Sequence, residues 1–328
     1  MSQLTLTARQ QSWPLAKPFM ISRGVKTSAE TIIVEINDGQ HKGQGESTPY
    51  ARYGESVESV LEQLNEISQD PTLFEHNESL QEAMPAGAAR NALDCALIDY
   101  QAKRSQIAAH KRFNITLTPR NTAFSLGIET PTKMYEAAKA ASNRPILKIK
   151  LGDGDEDHER LCAVRKGAPD AKLIVDANEG WSTDNWDNHL RSCIENNVQL
   201  IEQPLPASQD DDLKDIKSPI PLCADESLHT RKELGHIAER YDAVNIKLDK
   251  TGGLTEAFAV LDEAEKHGLT IMVGCMVASS LAMAPAVLLA QRATWVDLDG
   301  PLLLAKDHPN GLHYEESLLH PPTAELWG

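Results

Sequence analysis

The sequence predicts an α/β protein: a modified TIM barrel of the (β/α)7β type, preceded by an α+β capping domain. Three observations carry that expectation. From about Asn121 onward, eight strand-like runs recur at a spacing of roughly 25 residues, with helical patterns in most of the gaps. Three consecutive runs end in a carboxylate: LIVDANEGW at Asp176, VQLIEQPLP at Glu202 and PLCADES at Asp225. Before Asn121 the rhythm differs, with alternating strands first and helices after them.

Taken in order, LTLTARQQSWPL and AETIIVEIN alternate as strands do, and Asp38-Gly39 marks a turn before HKGQGES. Between the first two runs lies a polar loop carrying Arg23 and Gly24, and a second loop, TPYARYGES, carries Tyr50, Arg52 and Tyr53. VESVLEQLNEI and GAARNALDCALIDYQAK have the helical period, and the second is a small-residue helix built for close packing. These runs form the capping domain, residues 1–115. The barrel, 116–305, is read from TAFSLGI, PILKIKLG, KLIVDAN, VQLIEQPL, PLCADES, AVNIKLDK, TIMVGCM and WVDLDGP. Residues 306–328 are loop-like and are expected to pack back on the capping domain.

Composition narrows the function. A net charge of −16 disfavours nucleic acid and anionic membranes. No run is long and apolar enough to span a bilayer, and the N-terminus lacks the pattern of a signal peptide. The five cysteines contain no CxxC, which argues against a disulfide framework and a zinc site and for a reducing, cytoplasmic setting. No Gly-rich dinucleotide fingerprint follows a first strand, and there is no Walker A motif.

A lone acid inside an apolar strand end is costly unless a cation meets it. Three acids delivered to one end of a sheet, with no His or Cys among them, suit Mg²⁺ or Mn²⁺. Lys148 and Lys150 alternate on one strand and share a face. Lys247 takes a comparable place four units on, and in a barrel the second and sixth units stand on opposite walls. Burial lowers a lysine pKa, and a neighbouring lysine lowers it further, so an amine is expected on each face of a substrate carbon. A metal on the substrate carboxylate would stabilise the charge left when an α-proton departs. Asp297 and Asp299 alternate on the last strand and suit a cationic substrate group such as an α-ammonium.

The set KIKLG, VDANEGW, IEQP, ADES, NIKLDKTGG and DLDGP resembles the muconate-lactonising subgroup of the enolase superfamily, and within it the dipeptide epimerases. The resemblance implies that Asp176, Glu202 and Asp225 bind Mg²⁺, that Lys150 and Lys247 are the acid/base pair, and that Lys148 assists at the carboxylate. It implies that Asp297 and Asp299 hold a dipeptide's ammonium and that Arg23 meets a glutamate side chain. The implied reaction is epimerisation at the C-terminal residue of a dipeptide, L-Ala-D/L-Glu, in murein peptide degradation. Ser125, Cys275 and Met276 are added as pocket residues, with Asn178 and Ser227 as supports of the metal ligands. Competing expectations are cycloisomerisation or o-succinylbenzoate formation on the same site, a Schiff-base barrel lyase, and a non-catalytic binding protein. The expected partner is a small-molecule dipeptide, with homo-oligomerisation left open.

Overall fold

The structure, a computed structural model, describes residues 4–22, 24–152, 154 and 156–328. Strands β1 (Thr5–Ile21), β2 (Gly24–Asn37) and β3 (Lys42–Ser47) form an antiparallel sheet in sequential order. Helices α1 (Val57–Ser68), α2 (Asn77–Ala83) and α3 (Ala88–Ser105) cover it. Ser56 starts α1 with a reciprocal capping box to Ser59. The small residues of α3 do what their size suggests. A Cβ on Gly43 would lie 2.2 Å from the Ala96 carbonyl oxygen, and one on Gly45 would lie 2.2 Å from that of Ala92. Strand and helix therefore touch backbone to backbone, and only glycine fits on the strand side.

The short helix α4 (Ala109–Arg112) and strand β4 (Arg120–Asn121) lead into the barrel. Its eight parallel strands are β5 (Phe124–Leu126), β6 (Ile146–Lys150), β7 (Lys172–Asp176), β8 (Val198–Glu202), β9 (Leu222–Ala224), β10 (Ala243–Ile246), β11 (Thr270–Gly274) and β12 (Trp295–Asp297). They lie in sequence order, and all eight fall within the runs expected from the sequence. The Ala123 N–H donates to the Val296 carbonyl at 2.7 Å and brings the first strand to the last. The crossover helices are α5 (Pro131–Ala140), α6 (Asp157–Gly167), α7 (Trp186–Glu195), α8 (Leu234–Ile237), α9 (Leu248–Thr251), α10 (Leu254–Lys266) and α11 (Ser280–Ala290), while a 3₁₀ turn at Asp210–Asp215 serves between β8 and β9. The barrel strands read as continuous apolar runs because they are buried on both faces.

The first unit sits on the barrel through α3. The Arg90 guanidinium donates to the carbonyls of Thr251 and Gly252, and Asp94 accepts from the Thr255 N–H at the start of α10. Gly253, at φ +113°, passes so close to Asp94 that a Cβ would meet its carboxyl at 2.5 Å. After β12 the chain forms a hairpin of β13 (Tyr314–Glu315) and β14 (Leu318–Leu319), which pairs with β4. Its last residues return to α3, where the Trp327 indole N–H donates to the Cys95 carbonyl at 3.0 Å. Among the described residues no helix is long and apolar enough to cross a membrane.

Candidate active site

Each acid closes a strand or stands one residue beyond it. Asp176 and Glu202 are the last residues of β7 and β8, and Asp225 follows β9. Parallel pairing sets Lys150 beside Asp176 and Asp176 beside Glu202. All three carboxylates are buried, and one oxygen from each lies within 4.8 Å of the other two. Octahedral Mg²⁺ at about 2.1 Å from its ligands places them about 3 to 4.2 Å apart, somewhat inside the 4.8 Å limit that encloses the three oxygens. An all-carboxylate donor set favours a hard cation.

Four lysines surround the acids. Lys148 Nζ lies 2.7 Å from Glu202, 3.0 Å from Asp176 and 2.8 Å from Asp297. Lys150 Nζ meets the same Asp176 oxygen at 2.6 Å, as expected of alternate residues on one strand face. Lys247 Nζ is 2.6 Å from one Asp225 oxygen, and Lys250 Nζ is 2.6 Å from the other. Lys250 also donates to the backbone carbonyls of Asp225 and Asn245.

The electrostatics correct one expectation from the sequence. Burial does depress Lys148 and Lys247, but the surrounding acids outweigh it, and both stand well above the ordinary lysine range. For Lys148 the acids are chiefly Asp176, Asp297 and Glu202, and for Lys247 chiefly Asp225. Burial does prevail at Lys250, which is lowered. Among the acids, burial and the neighbouring Asp176 raise Glu202 to about 8, whereas at Asp225 burial is overcome by Lys247 and Lys250, which hold it low.

Lys150, Lys247 and Asp225 line one cavity, together with Phe19, Tyr50, Tyr53, Cys275 and Met276. Lys150 and Lys247 reach it from the second and sixth strands of the barrel order. The capping unit supplies one wall, and its Arg52 makes a bidentate ion pair with Glu179 just past β7, at 2.7 and 2.8 Å. Lys148 and Asp297 form an ion pair outside the cavity lining. Ser125 lines an adjoining cavity and gives its backbone N–H to Asp299 at 2.6 Å. Burial and then the nearby Asp297 push Asp299 up to about 7. Arg23 lies outside the described residues.

The supports are partly new. Asn178 takes its place through a backbone bond to Asp176 and a 3.4 Å contact with Glu226. Ser227 bonds to Asp210 and Gln203 rather than to a carboxylate ligand. Gln203, at φ +36°, accepts the Asp225 N–H at 2.8 Å, and Asn245 donates to Glu202 at 2.8 Å. Sequence reasoning missed Gln203, Asn245 and Lys250. Their signal was present: Gln203 follows Glu202, Asn245 shares a strand face with Lys247, and Lys250 follows one helical turn on. His189 stacks on Trp181 with the ring centroids 4.5 Å apart.

Two family models match the chain. "Mandelate racemase / muconate lactonizing enzyme, N-terminal domain" covers residues 3–111, and "Enolase C-terminal domain-like" covers 133–325. The chain belongs to the mandelate racemase/muconate lactonizing enzyme family of the enolase superfamily. Among similar members of this family is an L-Ala-D/L-Glu epimerase of Escherichia coli (strain K12), 43% identical over 96% of this chain and 99% of that protein. Another is an N-acetyl-D-glutamate racemase of a Pseudoalteromonas species, 46% identical over 90% of this chain and 95% of the relative. A crystal structure of an enolase family member from Agrobacterium tumefaciens, with homology to dipeptide epimerases and bound sodium and L-Ala-L-Glu, superposes with a TM-score of 0.97. It is 47% identical and covers 99% of this chain and 100% of its own.

Proposed function

We propose that this protein is an isomerase: a Mg²⁺-dependent dipeptide epimerase that inverts the α-carbon of the C-terminal residue, with L-Ala-D/L-Glu as substrate. The observation that carries the reading is the pair Lys150 and Lys247, set at the ends of the second and sixth barrel strands and facing one cavity beside Asp225. The relatives named for the same reaction support it.

Asp176, Glu202 and Asp225 would hold the ion, which supplies Lewis-acid polarisation of the substrate carboxylate when bound. Lys150 removes the α-proton from one face. Lys247, held as an ammonium beside Asp225, delivers a proton to the other face, and the roles exchange in the reverse direction. Lys148 offsets the charge of the acid cluster from below. Asp297 and Asp299 take the ammonium of the dipeptide, and the aromatic rings of Tyr50 and Tyr53 exclude water from above. Arg23 in the capping loop is assigned to the glutamate side chain. Residues 1–115 are read as the cap, 116–305 as the barrel and 306–328 as a tail joining the two. The setting that fits is cytoplasmic degradation of murein peptides, with no nucleic-acid or membrane partner.

A second reading is racemisation of an N-acylated glutamate. Asp297 is already paired with Lys148, and Asp299, with its carboxyl raised to about 7, is able to donate a hydrogen bond to an acyl oxygen. Incubation in D₂O with Mg²⁺ separates the two. Mass spectrometry should find α-deuterium in L-Ala-L-Glu and none in N-acetylglutamate; the reverse pattern selects the second reading, and no uptake in either ends both. The cycloisomerase and o-succinylbenzoate alternatives use substrates without an ammonium, so α-proton exchange in L-Ala-L-Glu that is lost when its amino group is acetylated favours the first reading over them.

A further inference from the structure

The C-terminal hairpin carries three metal-ligating side chains that the barrel chemistry does not use. His313 and His320 stand directly opposite each other across the antiparallel ladder, one step beyond the Tyr314–Leu319 pair. The His320 N–H donates to the His313 carbonyl at 2.9 Å, and the two rings lie 4.8 Å apart. Glu315 is two residues from His313, which directly precedes β13, so all three side chains leave the same face of the hairpin. Glu315 Oε1 is 3.4 Å from His313 Nε2 and 3.3 Å from His320 Nε2. None of the three lines the lysine cavity.

We propose that His313, Glu315 and His320 form a second cation site, for a transition metal of the Zn²⁺ type. A tetrahedral zinc with ligands at 2.0 to 2.2 Å has edges of about 3.3 to 3.5 Å, which both imidazole–carboxylate separations match. His320 Nε2 is shielded from solvent and faces Glu315 Oε1 at 3.3 Å, so a buried nitrogen and a carboxylate oxygen both point to where the ion would sit. Two imidazoles and one carboxylate select a borderline cation such as Zn²⁺, Ni²⁺ or Cu²⁺, unlike the hard oxygen set in the barrel. The absence of a CxxC pattern, which speaks against a cysteine site, leaves this histidine set untouched.

The hairpin is held ready for such a role. At its turn the Arg144 guanidinium donates to the Glu316 carbonyl at 2.8 Å and to the Ser317 hydroxyl at 3.0 Å, and the Thr122 N–H donates to the Ser317 carbonyl. On the opposite face, Tyr314 gives its hydroxyl proton to the Leu298 carbonyl at 2.7 Å, between Asp297 and Asp299. Little ordering therefore remains to be done on binding. With three protein ligands, water completes the coordination, and the ion clips the hairpin shut.

Calorimetric titration with Zn²⁺ alone, in buffer holding saturating Mg²⁺, tests the site on the full chain. Wild type should bind one more equivalent of Zn²⁺ than the double variant H313A/H320A, and either single variant should weaken that equivalent at least about tenfold. The barrel variant E202Q should keep it. Zinc should shift the ring-proton NMR signals of His313 and His320 in wild type and in E202Q alike. Equal stoichiometry in wild type and H313A/H320A, or loss of the same equivalent in E202Q, overturns the proposal, and circular dichroism checks that each variant is folded.

Discussion

Replacing Lys247 by alanine separates the two halves of the proposed reaction. The side chain is buried, and its ammonium is 2.6 Å from Asp225. Asp225 does not become an orphan when it is lost, because Lys250 still meets the other carboxylate oxygen at 2.6 Å and Gln203 still accepts the Asp225 N–H. The stability cost should therefore stay below the ~3–5 kcal/mol of an unpaired buried charge, and the variant should fold. The chemical cost is larger. Removing one general acid/base group slows turnover by about 10²- to 10⁴-fold, equivalent to ~3–5 kcal/mol of barrier. Lys150 remains, so one diastereomer of Ala-Glu should still exchange its α-proton in D₂O while the other falls silent. Lys150→Ala should show the opposite preference. Proton NMR of both diastereomers, with mass spectrometry of the products, reads this directly. Epimerisation within tenfold of wild type in Lys247→Ala, or continued exchange of both diastereomers, would refute opposed lysines as the working pair.

Three further outcomes are expected. Gly43→Ala places a methyl 2.2 Å from one backbone atom of α3 and 2.3 Å from another; neither atom moves alone, so thermal unfolding should report a loss of about 2 kcal/mol or more. Asp249 is buried, and burial raises it to about 7 although Thr48 N–H and Asn91 donate to it. Its folded pKa lies above its unfolded one, so its contribution is full below about pH 4 and lost as pH rises through 7. Asp249→Asn should gain on wild type in melting temperature across that window and level off above it. Mg²⁺ at a hundredfold excess over its Kd should stabilise the fold by about 2.7 kcal/mol, and Glu202→Gln should abolish the shift in a thermal melt.

The barrel was readable because parallel strands buried on both faces leave unbroken apolar runs, and a carboxylate breaking such a run is conspicuous. Asp176, Glu202 and Asp225 stand out for that reason, as do Lys148 and Lys150 with their two-residue spacing. What escaped depends on side chains meeting across strands. Lys250 reaches back to Asp225 from a short helix, and Gln203 turns its amide under the next strand through a left-handed backbone. Neither breaks an apolar run, and only their places beside Glu202 and one turn after Lys247 mark them. The lysine protonation was misjudged because burial is legible from apolar neighbours, whereas the number of acids within reach of one ammonium is not. The hairpin at the C-terminus pairs with β4, far away in sequence, and its two-residue strands are too short to show alternation.

Gln203 has a consequence for how freely the centre can be redesigned. Its amide oxygen takes the N–H groups of Asp225 and Ser227, and its amide nitrogen gives to the Leu205 carbonyl, the Tyr241 hydroxyl and the Ser227 hydroxyl. Glutamate would keep the acceptors but forfeit every donor, and leucine would lose both. With no isostere offering the same two-sided complement, this amide is a place where directed evolution of substrate scope has nowhere to go, and libraries are better spent on the Tyr50–Tyr53 wall.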